Sequence, residues 1–260
     1  MLFLVVGIIN RYGIRLLLGR RILQQICSRN YQINIIKHSK TIAIANKESI
    51  ICGWDLIKKN ALKSKTKLIP VDSEHFSIFN LLKHHDVKDI KKIYITASGG
   101  PFLKYKKKQF KKIKPKHALK HPKWRMGKKI SIDSSTLMNK MFELIEAQKL
   151  FEIPNNKLEV LIHPESLVHA IIMLKNGLSK FIYHETSMII PIANGIFDES
   201  IHIDELVTFK NQMINSLTFK KVKQKIFPII KLKERLNEYP STPIILNAAN
   251  EVLVDHFLKE

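Results

Sequence analysis

At 260 residues the chain has room for one large or two ordinary domains, each able to bury a core of its own. A hydrophobic share of 45% beside 25% charged residues describes a globular, water-soluble protein and excludes a disordered one. The formal charge of +22 raises nucleic acid or an anionic membrane as a partner. Lysine far outnumbers arginine, however, and isoleucine and asparagine are abundant, a pattern that AT-rich coding produces without selection for binding, so no nucleic-acid partner is expected. Cys27 and Cys52 are too few for a disulfide framework or a thiolate metal site, which fits a cytoplasmic setting.

In chain order, "MLFLVVGII" is apolar but short, and Arg11 and Arg15 follow it rather than precede it. That is not the order of a signal peptide, and no stretch approaches the roughly 20 apolar residues of a membrane helix. A buried strand, or the edge of something longer, is expected there. Five further segments share one pattern. "TIAIA" (41–45) ends in "NKES" and is followed by the amphipathic "IICGWDLIKKNAL"; "KLIPV" (67–71) ends in "DSEH" before "FSIFNLL", where Phe76, Phe79 and Leu82 fall on helical offsets. "KIYITA" (92–97) ends in "SGG", "KISI" (129–132) ends in "DSS" before "TLMNKMFELIEAQKLF", and "EVLI" (159–162) ends in "HPES" before "LVHAIIML". Strands that run out into polar turns, with helices after most of them, predict an open, mostly parallel α/β sheet. Ligands bind such sheets beyond the carboxyl ends of the strands, so the polar tails are expected to gather.

Each tail carries its own chemistry. Asp72 and Glu74 are two apart and share a face of an extended segment, a pairing of oxygen ligands suited to Mg²⁺ or Mn²⁺. Equally, Asp72 or Ser73 can simply cap the helix beginning near His75. Ser98 with Gly99 and Gly100 could cradle an anion, although a lone Gly-Gly is more often a turn. Asn139, Glu143 and Glu146 form one helical stripe, with Lys140 one step around, Ser134 near the expected helix start, and Leu137, Met141 and Leu144 opposite. An ordinary amphipathic helix would look the same. What favours a site is an anion-attracting helix start, a lysine and a third carboxylate on the same edge as "DSEH". "HPKWRMG" (121–127) follows a lysine run and reads as a mobile loop that could cover a ligand.

The motifs "ANKES", "PVDSEH", "SGGPF", "HPKWRMG", "DSSTLMNK" with the following glutamate, "LIHPES" and "LNAANE" occur in the order and spacing of 1-deoxy-D-xylulose 5-phosphate reductoisomerases, which the chain resembles over about residues 41 to 257. The resemblance implies an enzyme that rearranges 1-deoxy-D-xylulose 5-phosphate and reduces it with NADPH to 2-C-methyl-D-erythritol 4-phosphate, on the methylerythritol phosphate route to isoprenoids, with Mg²⁺ or Mn²⁺. It implies Asp72, Glu74 and Glu143 as metal ligands, and Lys47, Glu74, His121 and Glu143 as the catalytic set. Ser73, Glu74, Ser98, His121, Ser134, Asn139, Lys140 and Glu143 become substrate contacts, with Ser98, Ser134, Asn139 and Lys140 on the phosphate side. Asn46, Glu48 and Gly127 become NADPH contacts, and Trp124 and Met126 belong to the lid. A homodimer is possible.

The family opens with a dinucleotide-binding unit whose Gly-rich turn follows the first strand, and no such turn occurs among the nine glycines here. The expected organisation is therefore a remnant of an NADPH-binding, Rossmann-like domain over 1–66, a catalytic α+β domain over 67–210 with a flexible lid at about 104–127, and a linker with the start of a helical region over 211–260, the chain being shortened at both ends. Ile189 and Ile190 stand where an arginine and a threonine are expected, which leaves the packing near Met188 open. A non-catalytic alternative keeps the metal and sugar-phosphate pocket but binds NADPH poorly.

Overall fold

The structure is a computed structural model that describes residues 7–10, 13–16, 35–124, 126–197, 202–203 and 216–259. Residues 1–6 of the expected opening strand, Cys27 and the expected domain boundary at 210 lie outside the described residues. Two short antiparallel strands, β1 (Gly7–Asn10) and β2 (Gly13–Leu16), begin the first sheet. They join β3 (Thr41–Ile44) and β4 (Lys67–Pro70) in the order β2-β1-β3-β4, in which only β3 and β4 are parallel. Between those two strands runs α1 (Lys47–Ser64). Its buried residues Ile50, Trp54, Ile57 and Ala61 recur at helical spacing, the Asn46 side chain accepts from the Ser49 amide at its start, and Lys65 closes its end in the left-handed conformation.

After β4 come α2 (Ser73–Leu82) and β5 (Ile90–Ala97), the centre of a second sheet. That sheet has the order β8-β7-β5-β6-β9, with β6 (Leu158–Ile162), β7 (Val168–Leu174), β8 (Ser179–Tyr183) and β9 (Lys220–Lys221). The expected mostly parallel sheet is corrected here: only β5 and β6 are parallel, while β7, β8 and β9 all pair antiparallel. The cause is the segment after β6. "HPES" makes a tight reversal rather than a crossover, with Ser166 at φ +58, and "LVHAIIML" continues as strand β7. The imidazole of His163 holds that reversal by accepting from the Leu167 amide at 3.1 Å and donating to the Thr218 carbonyl at 2.9 Å.

"KISI" is the second correction, since it lies in helix α3 (Lys128–Thr136) and not in a strand. Four apolar-alternating residues fit either period, and neighbours decide between them. Here the hydroxyls of Ser131, Ser135 and Thr136 all donate back to carbonyls three or four residues earlier, at 2.9, 2.8 and 3.3 Å, so polar residues that would face out of a strand are satisfied within the helix. Ser134 therefore ends one helix instead of starting the next. Leu137 turns the chain at φ +65, and α4 (Met138–Phe151) begins after it.

The main core lies between the second sheet and α4, where Ile93, Ile95, Met141, Phe142, Leu144 and Ile172 are at most 1% exposed. Each such side chain contributes on the order of 2 kcal/mol of transfer free energy. Because α4 is buried on nearly every side, its polar residues Lys140, Glu143 and Glu146 are buried with it. Helix α5 (Ile189–Phe197) packs Ile192 and Ile196 on Ala43 and Ile69 of the first sheet and on Val71 just after it, with Ile190 inside and Ile189 exposed. The chain described ends in α6 (Thr242–Lys259), whose buried residues are Asn247, Asn250 and Val254.

Candidate metal and anion site

The loop after β4 delivers the first ligands. Asp72 caps α2, its Oδ1 accepting from the Glu74 amide at 3.3 Å, while its Oδ2 takes the Lys47 ammonium at 2.7 Å. The capping and ligand readings of "DSEH" are thus compatible, because a carboxylate has two oxygens to share. Glu74 lies on the first turn of α2, and Glu143 projects from the first half of α4. One oxygen of each of Asp72, Glu74 and Glu143 lies within 4.8 Å of the others. Glu74 and Glu143 are 8% and 1% exposed, whereas the Asp72 side chain keeps 20% of its surface open.

Two ammonium groups are drawn into these carboxylates. Lys47, on the first turn of α1, reaches Asp72 at 2.7 Å, Glu146 at 3.0 Å and Glu143 at 3.8 Å. Lys140 bridges Glu74 and Glu143, the latter at 2.7 Å. His75 adds a third positive group, donating Nε2–H to the Glu143 carbonyl at 3.0 Å with Nδ1 at 3.4 Å from Asp72. Burial works against its charge, but Glu146 and Asp72 outweigh burial and raise it to about 9. Burial also pushes against ionised Glu74, yet Lys140 brings it down to about 2. Asp72 is likewise lowered well below its ordinary value, burial being overcome by Lys47 and His75. Glu143 goes the other way: burial first and the Glu74 charge second push it up to about 8.

That imbalance is a physical test of the cluster as a cation site. Hard oxygen donors from separate elements converge, burial and the Glu74 charge push one of them, Glu143, toward its neutral form, and positively charged side chains fill the space between them. The Oδ1 of Asn139 is buried without a partner beside them, its amide nitrogen donating to Glu143. The residues fit a small divalent ion.

The anion side is built from the turn after β5. Gly99 and Gly100 take φ +86 and +61, and a Cβ on Gly100 would stand 3.0 Å from the Ser134 carbonyl oxygen and 3.1 Å from Ser135 Cα. Glycine is therefore required there, and its absence of a side chain lets the Ser98 turn lie against the end of α3. Ser98 Oγ accepts from the Gly100 amide at 3.2 Å and lies 3.1 Å from His121 Nε2. His121 Nδ1 accepts from the Trp124 and Lys123 amides at 2.8 and 3.2 Å, so the ring proton sits on Nε2 and donates to Ser98. Burial, then the Lys140 charge, pushes this imidazole down to about 4, and it is neutral near pH 7.

The structure thus brings together Lys47, Asp72, Ser73, Glu74, Asn139, Lys140 and Glu143 in one cluster, with Ser73 Oγ donating to Glu74 at 2.6 Å. Ser98 and His121 form a second pair, and Gly100 brings Ser134 near it. Lys140 points among the carboxylates, where the phosphate side was expected. Asn46 and Glu48 open α1 and Gly127 precedes α3; Lys129 ties the two helix starts together at 3.2 Å from Glu48. Met126 is half-buried, and Trp124 lies edge-on to His169 at 6.2 Å. "HPES" stays with its turn and does not join the cluster. Sequence reasoning left Glu146, His75, His169 and His184 without roles, although Glu146 stood in the stripe with Glu143 and His75 stood in "DSEH" beside Asp72 and Glu74.

Known proteins resemble this chain throughout the region just described. A family model described as the 1-deoxy-D-xylulose 5-phosphate reductoisomerase C-terminal domain matches residues 68–151, and one described as the DXP reductoisomerase C-terminal domain matches residues 184–260. The chain is 52% identical over 230 residues to the 1-deoxy-D-xylulose 5-phosphate reductoisomerase of Pelagibacter ubique (strain HTCC1062), covering 87% of this chain and 58% of that protein. It is 47% identical over 227 residues to the enzyme of the same name from Wolbachia sp. subsp. Drosophila simulans (strain wRi), covering 85% and 57%. Among solved structures, a DOX-P reductoisomerase in complex with NADPH, fosmidomycin and magnesium superposes with a TM-score of 0.79 at 36% identity, covering 88% of this chain and 59% of that one. The reductoisomerase of Zymomonas mobilis in complex with NADPH gives a TM-score of 0.74 at 34% identity, covering 88% and 59%. The chain spans somewhat less than three-fifths of the length of these relatives. Over that span, with its carboxylate cluster and the "PVDSEH" and "DSSTLMNK" segments that build it, the chain belongs to the 1-deoxy-D-xylulose 5-phosphate reductoisomerase family.

Proposed function

We propose that this protein takes part in the NADPH-dependent conversion of 1-deoxy-D-xylulose 5-phosphate to 2-C-methyl-D-erythritol 4-phosphate with Mg²⁺ or Mn²⁺. The observation that carries the reading is the convergence of Asp72, Glu74 and Glu143 to within 4.8 Å from two separate helices and a loop. A divalent ion held by these three carboxylates would supply Lewis-acid stabilisation to alkoxide and enolate charge as the carbon skeleton rearranges. NADPH would supply the hydride, with Asn46, Glu48 and Gly127 as its contacts in this chain.

The chain's own residues hold the substrate and control charge. Ser98, Ser134 and Asn139 offer hydroxyl and amide donors to the phosphate, and binding energy gained at that non-reacting end positions the reacting end. Lys140 leaves Glu74 and Glu143 to join them when an anion arrives. Lys47 stays on the ligand side, where Asp72 and Glu146 keep it protonated against its burial. Neutral His121 donates a hydrogen bond to a substrate oxygen rather than a full charge. Trp124 and Met126 belong to a lid over about 104–127 that excludes water. Residues 1–66, 67–210 and 211–260 serve as the cofactor side, the catalytic unit and the linker with a helical region. The protein works in the cytoplasm, and no helix among the described residues is long and apolar enough to cross a membrane. It can pair as a homodimer.

The test is direct. Purified protein with Mn²⁺ and NADPH should oxidise the nicotinamide only after 1-deoxy-D-xylulose 5-phosphate is added. Flat nicotinamide absorbance together with calorimetric binding of Mn²⁺ and the sugar phosphate would replace the reading with a non-catalytic binding module. Failure to bind either would end both readings.

A further inference from the structure

Four rings form a continuous column from the core to the loop that carries His121. Phe76, on the helix of Glu74, meets His184 edge-to-face at 6.3 Å and 72°. His184 stacks on His169 at 4.1 Å with the planes 15° apart, and His169 meets Trp124 edge-to-face at 6.2 Å and 66°. These are the offset and T-shaped arrangements that aromatic quadrupoles favour. His184 is 6% exposed and His169 is 2% exposed, and the Nε2 of each is buried with no hydrogen-bond partner. His184 donates Nδ1–H to the Glu185 carbonyl at 2.8 Å, which leaves Nε2 as a bare lone pair. The other ring nitrogen of His169 lies 3.9 Å from Glu74 Oε1. An unpaired buried nitrogen costs stability, so two of them side by side mark rings whose stacking helps offset that cost.

The column ends on a residue with a further bond. The Trp124 amide donates to His121 Nδ1 at 2.8 Å, and the opposite nitrogen of that ring faces Ser98 at 3.1 Å. The Trp124 and Lys123 amides set which nitrogen of His121 carries the proton, and the indole hangs from the same short segment, so the seat of the indole bears on where that segment holds the His121 ring. Resting on the reading of 121–127 as a cover for the substrate site, we propose that His184 is a positioning residue: through its stack on His169 it seats Trp124 and so aims His121 at Ser98. His184 touches neither Ser98 nor any of the three clustered carboxylates in the bonds described above, and acts only through the rings.

The sequence contains two tryptophans, so Trp54→Phe leaves Trp124 as the sole reporter of its own burial. In that background, acrylamide quenching of Trp124 fluorescence is compared for the parent, His184→Phe and His184→Ala. The aromatic variant keeps a ring in the column and should match the parent; the alanine variant should be quenched about twofold more strongly, since the support beneath His169 is gone. Unchanged quenching in a His184→Ala protein with parental circular dichroism overturns the proposal, as does a His184→Phe protein quenched as strongly as the alanine variant. If His184→Ala does not fold, His169→Leu decides: stronger quenching supports the column, and parental quenching overturns it. The readout needs no turnover, so a protein without reductoisomerase activity would still answer the question.

Discussion

Glu143 is the residue on which opposing forces balance most closely. Its carboxyl is buried, faces Glu74, and is held by Lys140 at 2.7 Å, with the net result that it is pushed up to about 8. A divalent ion would offset both the burial and the Glu74 repulsion that push it up. Replacing Glu143 by Gln should weaken Mn²⁺ binding about tenfold or more by calorimetry, since it removes a charged ligand and not merely a supporting one. Parental affinity would take Glu143 out of the ligand set. His184 gives a prediction in pH. Burial, then the neighbouring His169, pushes it down to about 4 from an ordinary 6.5. The unfolded chain thus binds a proton near 6.5 that the folded chain refuses until about 4. The associated stability is present above 6.5 and is lost as pH falls toward 4, by at most about 3 kcal/mol. Urea unfolding of His184→Phe should lose part of the parental decline between about pH 7 and pH 5; an identical decline would place the titrating group elsewhere.

At the level of elements, α6 buries two asparagines alongside Val254 while several of its apolar residues face outward. Ile245, Val252 and Leu253 are 63%, 58% and 67% exposed, while Asn247 and Asn250 are inside. The reason is Asp133 in α3, buried to 2% exposure, which accepts from Asn250 at 2.7 Å and from Lys129 at 3.2 Å. Lys129 in turn reaches Glu48 at the start of α1, so one buried carboxylate ties three helices together. Asn250→Leu would leave that carboxylate oxygen without its amide and should destabilise the protein by about 1–3 kcal/mol. Thermal unfolding should show a midpoint lower by several degrees; an unchanged midpoint would mean that the bond contributes nothing net. "KISI" teaches the same lesson in reverse. Its alternation suggested a strand, but its Ser131 and the following Ser135 find their acceptors within a helix.

The whole molecule carries a formal charge of +22 and yet gathers Asp72, Glu74, Glu143 and Glu146 in one buried place. Lys47, Lys140 and His75 balance much of that charge, and burying all of these groups together costs desolvation that a tightly bound cation can help offset. A ligand present at about one hundred times its dissociation constant stabilises the folded state by about 2.7 kcal/mol. Millimolar Mn²⁺ or Mg²⁺ should therefore raise the thermal midpoint by several degrees, and a chelator should reverse it. Sodium at matched ionic strength should not reproduce the shift. An equal response to sodium would reduce the cluster to a network of internal ion pairs.

The amino-acid sequence by itself determined the local alphabet of the site. The strands around 41–45, 67–71, 92–97 and 159–162, the helices that follow the first two, and the residues Asp72, Glu74, Ser98, Lys140 and Glu143 are written in short-range patterns, because helical and strand periods and caps act over a few residues. Which strand pairs with which, and in which direction, is decided by contacts between residues far apart in the chain. So the reversal at "HPES" turned an expected parallel sheet into a mixed one. Lys140 joined the carboxylates for a related reason: a buried ammonium must find negative charge wherever the packed helices put it, and only the packing of α2 against α4 placed Glu74 and Glu143 on either side of it.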